Sequence, residues 1–288
     1  MSKILWKKAC QLNSSLLTIK RLFKKSPSYV QILSEGLTNY CYKVVFSNGN
    51  KYVWRFKIPA VKKAFLISQF QEFQVLSFIQ STLIAPKPII VNSQGILVDW
   101  IEGDSLRVIK TSFNSVLKII VKIHELNIDN IHIPRFNFIE KVDHYWSQIR
   151  NELKTHKYQK LYNHWRNIPN LPSINNTLCH FDLTTYNMVN TILGNKVIDW
   201  EYATISDPRL DLALSINAAN EEVFKSVSYY CKLRKIVKTN DWIAGVLLWK
   251  PRAIMMVMLW YLLNYQIWNN LKHLSEAEKL KDYLIDYY

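Results

Sequence analysis

The sequence predicts an α+β fold of two lobes, a small lobe built on an antiparallel sheet and a larger, mostly helical lobe. Three observations support this. Strand-like runs with turn signals dominate the first hundred residues, apolar residues at helical spacing dominate the rest, and the polar segment Glu102–Ser105 lies between them. The chain has 288 residues, which allows one large domain or two moderate ones, and 49% of them are hydrophobic, which is enough for a sizeable core. We therefore expect lobes over residues 1–101 and 102–288.

The first lobe is expected to begin with a short helix within residues 1–27 and to continue as a sheet. Its first three strands are predicted to be Tyr29–Leu33, Tyr40–Phe46 and Lys51–Ile58. An Asn-Gly pair in Ser47–Asn50 is the strongest short-range signal for a β-hairpin, and it lies between the last two strands. A polar turn over residues 34–39 joins the first two.

A helix and a second hairpin complete the first lobe. Apolar residues at helical spacing predict one helix over residues 61–80, and Pro86 ends that region. The hairpin strands are predicted to be Ile89–Val91 and Ile96–Ile101, which Asn92–Gly95 connects.

The second lobe is expected to begin with helices. Apolar residues between Phe113 and Leu126 fit one helix face, and residues 139–165 fit one or two further helices. Two short strands, Met188–Leu193 and Lys196–Trp200, are predicted to follow.

The rest of the second lobe is predicted to be helical. Asp207-Pro208 begins a helix, with Asp as the N-cap and Pro in the first turn. Residues 221–288 continue as helices rich in aromatic residues. The apolar run Ile254–Leu263 is too short to span a bilayer and is expected to be a buried core helix.

The stretch Cys179–Ala203 carries the candidate chemistry. His180, Asp182 and Asn187 have the H-x-D-x-x-x-x-N spacing of a kinase catalytic loop, and Asp199 ends the next apolar run. Phosphoryl transfer from ATP requires an oriented nucleophile, anchored Mg²⁺ and positive charge at the phosphates. We therefore predict Asp182 as the catalytic base, and Asn187 and Asp199 as Mg²⁺ ligands because their oxygens are hard donors. The order of elements then matches a protein-kinase-like fold.

Each of these residues alone has a simpler explanation. A lone Asp on a loop is far more often a helix cap or a turn residue. The combination is more specific, because the residues occur at kinase spacing, beside strand-like runs and after a β-rich lobe.

The turn between the first two strands occupies the position of a phosphate-covering loop. It contains Gly36, Thr38 and Asn39, which are candidate nucleotide contacts. Because it holds a single glycine, an ordinary hairpin turn is the alternative.

Arg55 lies on the third strand, where a kinase places its phosphate-contacting lysine. Arginine can bind phosphate with two parallel hydrogen bonds. Lys57 is a competing candidate because alternate residues of a strand point the same way. Glu72 on the following helix would pair with Arg55, and the alternative is an exposed surface charge.

Five segments together resemble the aminoglycoside phosphotransferase and choline/ethanolamine kinase family. They are LSEGLTNYCYKV, YVWRF, IAPKPIIV, LCHFDLTTYNMV and VIDWEYATISDPRLDLA. IAPKP, VDWIEG and KVIDWEYA look most similar to bacterial thiamine-phosphorylating members. The resemblance covers residues 30–220 and implies a kinase that uses ATP and Mg²⁺. Residues 1–101 would be its nucleotide-binding lobe, and residues 102–288 its catalytic and substrate-binding lobe.

The resemblance also implies roles for residues outside the motif. The backbone of Val98, Trp100 and Ile101 would form a hinge that hydrogen-bonds adenine, and Asp211 would brace the catalytic loop. The sequence departs from many relatives at Tyr186, where a small residue commonly precedes the Asn.

The acceptor is expected to be a small molecule. Asp207-Pro208 follows Asp199 too closely for the activation loop and Ala-Pro-Glu segment of a protein kinase. Carboxylates and aromatic side chains suit a cationic alcohol, so Tyr186, Trp200 and Glu201 are candidate substrate contacts.

Thiamine is the preferred acceptor. The alternatives are choline, ethanolamine or an aminoglycoside. An inactive nucleotide-binding protein is less favoured because the motif carboxylates and the Asn are all present.

Charge and cysteine usage limit the possible partners. The net charge of +15 favours an anionic partner, but the basic residues form no long run, so nucleic acid ranks last. The four cysteines lack CxxC spacing, which predicts neither a metal site nor disulfides. A cytoplasmic protein without membrane insertion is expected, because the N-terminal stretch has no apolar signal region.

Overall fold

The computed structural model describes residues 3–33, 41–56, 58–106 and 111–287. Within them lie eleven α-helices and eleven strands, which confirms the α+β class. The chain forms two compact units. Unit 1 comprises Met1–Asp104 and Val189–Glu201, and unit 2 comprises Ser105–Met188 and Tyr202–Tyr288. The predicted metal ligand Asp199 therefore belongs to unit 1.

Unit 1 is built on a six-stranded antiparallel sheet with the order β1-β2-β3-β4-β6-β5. The strands are β1 (Lys3–Leu5), β2 (Tyr29–Leu33), β3 (Cys41–Val45), β4 (Lys51–Phe56), β5 (Pro88–Val91) and β6 (Gly95–Asp99). Both predicted hairpins are confirmed, and β1 is an additional strand at the sheet edge. The last strand ends at Asp99 rather than Ile101, so the predicted extension over Trp100 is wrong.

The two faces of this sheet have different tasks. Trp54 on β4 pairs with Tyr42 and Leu97, and its fully buried indole faces the first core. Two short helices, α1 (Trp6–Leu12) and α2 (Leu17–Phe23), cover that core. Because side chains alternate along a strand, Arg55 points to the opposite face.

The single helix predicted over residues 61–80 is wrong, because the chain forms two helices there. They are α3 (Pro59–Phe65) and α4 (Gln69–Ile79). Leu66 between them adopts a left-handed conformation with φ of 51°. The hydroxyl of Ser68 then caps α4 by accepting the Gln71 N–H at 3.3 Å. The apolar pattern does not reveal this break, because the buried residues of α3 and α4 follow one continuous helical spacing.

Residues 189–201 pack with unit 1 through close backbone contacts. The strands of this region are β7 (Asp104–Ser105), β9 (Met188–Thr191) and β10 (Gly194–Val197). The Val197 N–H donates to the carbonyl oxygen of Ile84 at 2.6 Å. Gly103 has φ of 153°, and a β-carbon there would overlap the carbonyl oxygen of Asn190. This glycine therefore allows the close approach that attaches the Asp199 segment to unit 1.

Unit 2 is a helical assembly around one short β-ladder. Its helices are α5 (Phe113–His124), α6 (Phe138–Gln148), α7 (His156–Trp165), α8 (Pro208–Ala218), α9 (Val223–Leu233), α10 (Thr239–Trp268) and α11 (Leu271–Asp286). The ladder pairs β8 (Thr177–Cys179) with β11 (Thr204–Ser206), two strands that were not predicted. The predicted start of α8 is confirmed, because Asp207 accepts the Arg209 N–H at 2.8 Å and Pro208 is the first helical residue.

Helix α10 is the centre of unit 2. It packs against α6, α7, α8, α9 and α11, and it runs through Pro251 without ending. By length and composition it could cross a membrane, but most of its apolar stretch is buried inside the protein. The predicted buried core helix at Ile254–Leu263 is confirmed.

We expect Gly103→Ala to lower the free energy of unfolding by about 3 kcal/mol, since the added methyl group meets fixed backbone. The matched control is Gly49→Ala, where φ is also positive at 86° but no atom lies within 4 Å of the added carbon. That control should cost about 1 kcal/mol. Urea denaturation measures both variants, and equal losses would show that the Asn190 contact is unimportant.

Candidate active site

Arg55 is the centre of a buried charge cluster in unit 1. Its guanidinium forms ion pairs with Glu72 on α4 and with Asp199. The predicted pairing of Arg55 with Glu72 is therefore present, and Glu72 is only 2% exposed. Burial acts to lower the pKa of Arg55, but the charges of Asp199 and Glu201 help to raise it above its ordinary value. Arg55 is thus a permanent cation between two carboxylates.

Asp199 has an unusual backbone as well as a charged partner. Its φ is 65°, and the strand before it ends at Val197, so the strand predicted to reach Trp200 is wrong. A left-handed residue other than glycine is uncommon and costs about 1 kcal/mol or more. The Asp199 side chain keeps 34% of its surface exposed. The bend ends the strand and leaves one side of this carboxylate accessible.

Trp200 and Glu201 differ in what they can contact. Trp200 is 0% exposed, and its Nε1 donates to the carbonyl oxygen of Val197 at 3.0 Å. We correct its predicted role, because an indole inside the core cannot contact substrate. Glu201 is also buried, but it lines an open pocket beside Arg55 and Glu72.

Part of the backbone predicted to bind adenine already forms hydrogen bonds with neighbouring segments of unit 1. Asp99 donates its N–H to the carbonyl oxygen of Lys87 at 2.9 Å, and Trp100 donates to that of Lys51 at 3.2 Å. Val98 is buried in β6, paired to strands on both sides. The Trp100 amide is therefore unsuited to binding adenine, and Ile101 follows the end of the strand.

Four predicted nucleotide contacts lie outside the described residues. They are Gly36, Thr38, Asn39 and the alternative cation Lys57.

Asp182 and Asn187 form the motif pair of unit 2. Asn187 ends a single 3₁₀ turn, Thr185–Asn187, that the Thr184 hydroxyl caps. Its Nδ2 donates to the backbone oxygen of Asp182 at 2.8 Å and to Oδ2 of Asp182 at 2.9 Å. One amide group thus holds the loop closed and orients the carboxylate.

A fully buried carboxylate holds this loop in place. Oδ1 of Asp211 accepts the Phe181 N–H at 2.8 Å, and its Oδ2 lies 3.3 Å from the His180 nitrogen. Phe181 has φ of 66°, so Asp211 bonds the amide of the strained residue directly before Asp182. The bracing role expected for Asp211 matches these contacts.

His124 and Tyr230 continue the network. Nε2 of His124 lies 2.9 Å from Oδ2 of Asp211, and Nδ1 lies 2.8 Å from the Tyr230 hydroxyl. Burial acts to raise the pKa of Asp211, but the His124 contact and the Phe181 amide lower it overall. Sequence reasoning missed both residues. The only available signal was a histidine on the apolar side of the helix that became α5.

His124, Cys179 and Asp211 are close enough to hold a metal ion. Burial raises the pKa of the Cys179 thiol well above its usual range, and the thiol contacts backbone oxygens of Thr177 and Ser206. A neutral thiol is a poor metal ligand. We interpret this cluster as a structural hydrogen-bond network.

Unit 2 contains a cluster of ring side chains with one carboxylate beside it. We call this cluster the aromatic wall and define it as Tyr202, Trp260, Tyr261, His273 and Glu276. Trp260 Nε1 donates to the Tyr202 hydroxyl at 2.9 Å, and the Tyr261 ring lies against both Trp260 and His273. Burial, followed by the charges of Glu276 and Asp182, raises the pKa of Tyr261. The wall is therefore within electrostatic reach of the predicted base. Tyr186, another predicted substrate contact, is 61% exposed.

Residues 30–235 match the sequence profile described as choline/ethanolamine kinase, which is well over half of the chain. The chain belongs to the choline/ethanolamine kinase family. This kinase is a phosphotransferase that acts on an alcohol group of a small molecule.

Known relatives agree with this assignment. This kinase is similar to thiamine kinase of Shigella dysenteriae, with 25% identity over 206 residues and 70% of each chain covered. Among solved structures it resembles choline kinase LicA of Streptococcus pneumoniae in complex with AMP, with a TM-score of 0.70, 18% identity and coverage of 94% and 98%. It also resembles the GDP and kanamycin complex of an aminoglycoside phosphotransferase, with a TM-score of 0.66, 15% identity and coverage of 96% and 99%. These likenesses confirm the protein-kinase-like fold.

We expect Asp211→Asn to lower the free energy of unfolding of this kinase by about 3 kcal/mol near neutral pH. The folded-state pKa of Asp211 is depressed, so its stabilisation is present above the unfolded value, about 3.9, and is lost as pH falls through the folded value. The difference between wild type and variant should therefore be constant from about pH 5 to 7 and shrink below about pH 4.

Thermal and urea unfolding across this pH range measure the effect. The matched control is the exposed Asp129→Asn, which should change stability by less than about 0.5 kcal/mol. A loss for Asp211→Asn that persists undiminished at pH 3 would contradict the role given to its charge.

Proposed function

We propose that this kinase transfers the γ-phosphate of ATP to the primary alcohol of thiamine. We infer a cationic alcohol as the acceptor from the aromatic wall, because its Tyr261 is within electrostatic reach of Asp182. The choice of thiamine among cationic alcohols is supported by the curated relatives, which are thiamine kinases.

Asp182 is proposed to accept the proton of the alcohol. The Asn187 amide donates to its Oδ2 at 2.9 Å, which limits rotation of the carboxylate. A base held in one orientation loses little entropy when the hydroxyl arrives, and positioned proton transfer contributes about 10²–10⁴ to rate.

Asn187 and Asp199 are proposed to hold Mg²⁺. Asn187 uses its Nδ2 to bond Asp182, so its oxygen is the atom left for a cation. Asp199 offers a partly exposed carboxylate. Two oxygen donors fit a hard cation that keeps several of its waters. When bound, Mg²⁺ would neutralise charge on the nucleotide phosphates.

Arg55 is proposed to contact those phosphates. Glu72 is buried at its side and would keep the guanidinium oriented while Asp199 turns to the metal. Burial raises the pKa of the neighbouring Cys41 thiol to about 12, so that neighbour stays neutral. The AMP and GDP complexes of structurally similar proteins support a nucleotide as the donor.

The acceptor is proposed to bind with its cationic ring on the aromatic wall. The thiazolium ring of thiamine is a delocalised cation, and a cation over an aromatic face gains about 0.5–2 kcal/mol. Glu276 lies near Tyr261, and its carboxylate is paired with Lys279 at 2.6 Å. Tyr186 and Glu201 stay proposed contacts, whereas Trp200 is withdrawn because it is buried.

Choline or ethanolamine is the second candidate. The family profile is that of choline/ethanolamine kinases, and the aromatic wall would suit a quaternary ammonium group as well. An inactive protein is less favoured, because Asp182 and Asn187 form the ordered pair that the reaction needs. We also propose a cytoplasmic location, which is supported by four free cysteines.

We expect Asp182→Asn to lower kcat by about 10³-fold while the nucleotide still binds, because the amide cannot accept the alcohol proton. Steady-state assays give kcat, and calorimetry gives nucleotide affinity. Asp129→Asn is the control and should keep normal turnover. If Asp182→Asn retains kcat within about tenfold of wild type, Asp182 is not the base.

We expect Trp260→Leu to raise KM for the acceptor by about 5- to 30-fold with little change in KM for ATP. The assay compares ATP consumption with thiamine, choline, ethanolamine and kanamycin. Tyr283→Leu on α11 is the control, since Tyr283 is an exposed aromatic residue outside the aromatic wall. Thiamine should give the highest kcat/KM. A higher value for choline would select the second candidate, and an unchanged KM in Trp260→Leu would remove the aromatic wall from the acceptor site.

A further inference from the structure

All charged side chains among the first 34 residues are basic. This segment contains seven basic residues and no acidic one, and Glu35 is the first carboxylate. The basic residues are Lys3, Lys7, Lys8, Lys20, Arg21, Lys24 and Lys25, and all seven are exposed. The basic residues look scattered over the whole sequence, but seven of them are concentrated on β1, α1, α2 and the two residues that follow α2.

Large apolar side chains are exposed among these charges. Leu5 is 74% exposed, Leu12 is 62%, Leu17 is 37% and Leu22 is 38%. Single exposed leucines are normal on soluble proteins, but a concentration of them marks an interaction site. We call these four leucines and the seven basic residues the N-terminal surface.

The packing of unit 1 keeps this surface turned outward. Ala9 on α1, Ile19 on α2 and Leu16 in the 3₁₀ turn between them are almost fully buried against the sheet. Lys20 on α2 is close enough to lower the pKa of Cys10 on α1, although burial raises that pKa overall. Residues of α1 and α2 are thus near each other, and the exposed leucines cannot turn into the core without exposing the residues already buried there.

We propose that the N-terminal surface binds the anionic surface of a lipid bilayer. Basic side chains are attracted to anionic headgroups, while leucines lose contact with water only if they enter the boundary with the acyl chains. A nucleic acid would explain the charge but not the leucines, because phosphate contacts are polar. Both features together favour a lipid surface on which the kinase lies without crossing it.

The experiment is co-sedimentation of the full chain with vesicles of phosphatidylcholine alone or with phosphatidylglycerol. We expect binding to the anionic vesicles, weak binding to the neutral ones, and loss of binding at high salt. Lys7→Gln with Lys8→Gln should weaken anionic binding by about tenfold or more. Leu12→Ser with Leu17→Ser should weaken it by about three- to tenfold.

The matched control is Ile192→Ser with Leu193→Ser. These residues are 101% and 80% exposed at a hairpin tip outside the N-terminal surface, so vesicle binding should not change. Circular dichroism and kinase turnover should be the same in all variants, since none lies in the proposed active site. The proposal would be overturned if either pair of N-terminal substitutions left binding to anionic vesicles unchanged. Binding to a DNA duplex but not to anionic vesicles would also overturn it and assign the surface to nucleic acid.

Discussion

The buried carboxylate of Asp211 is the interaction on which the catalytic loop depends. It accepts a hydrogen bond from the amide of Phe181, whose left-handed backbone would otherwise be costly directly before Asp182. His124 lies at hydrogen-bonding distance on its other side and is itself next to Tyr230. Because Asp211, His124 and Tyr230 are buried, losing one partner would leave the others unsatisfied in a medium of low dielectric constant. The loop is therefore rigid where the proposed base needs a fixed position.

A second buried arrangement organises unit 1. Arg55 holds Glu72 and Asp199 at once, so one guanidinium links the sheet, helix α4 and the segment that follows β10. The Asp199 side chain remains partly exposed, whereas Glu72 is buried, so the two carboxylates differ in their access to a ligand. Glu72 fixes the cation in place, and Asp199 is the carboxylate that we propose changes partner when a metal and phosphates bind.

Much of unit 1 could be predicted because its signals are local. The Asn-Gly hairpin and the alternating strands determine their own register, and the Arg55–Glu72 pair joins a strand to a helical segment only a few residues further along the chain. The break at Leu66 could not be predicted, because apolar spacing continues across it. Trp200 was misassigned for a related reason. Its neighbours in sequence are predicted site residues, but the strand has ended before it, the chain bends at Asp199, and its indole lies in the core.

The sequence by itself determined the family and predicted the chemistry of the site. The spacing of Asp182 and Asn187 is a property of a short loop, and the segment around Asp199 indicates the family without any coordinates. Only the tertiary structure decided which residues support that chemistry. His124 and Tyr230 are 87 and 19 residues from Asp211 in sequence. The aromatic wall joins residues that precede α10, lie on it and follow it in the sequence. Such contacts depend on how helices pack, and no local pattern records packing between distant segments.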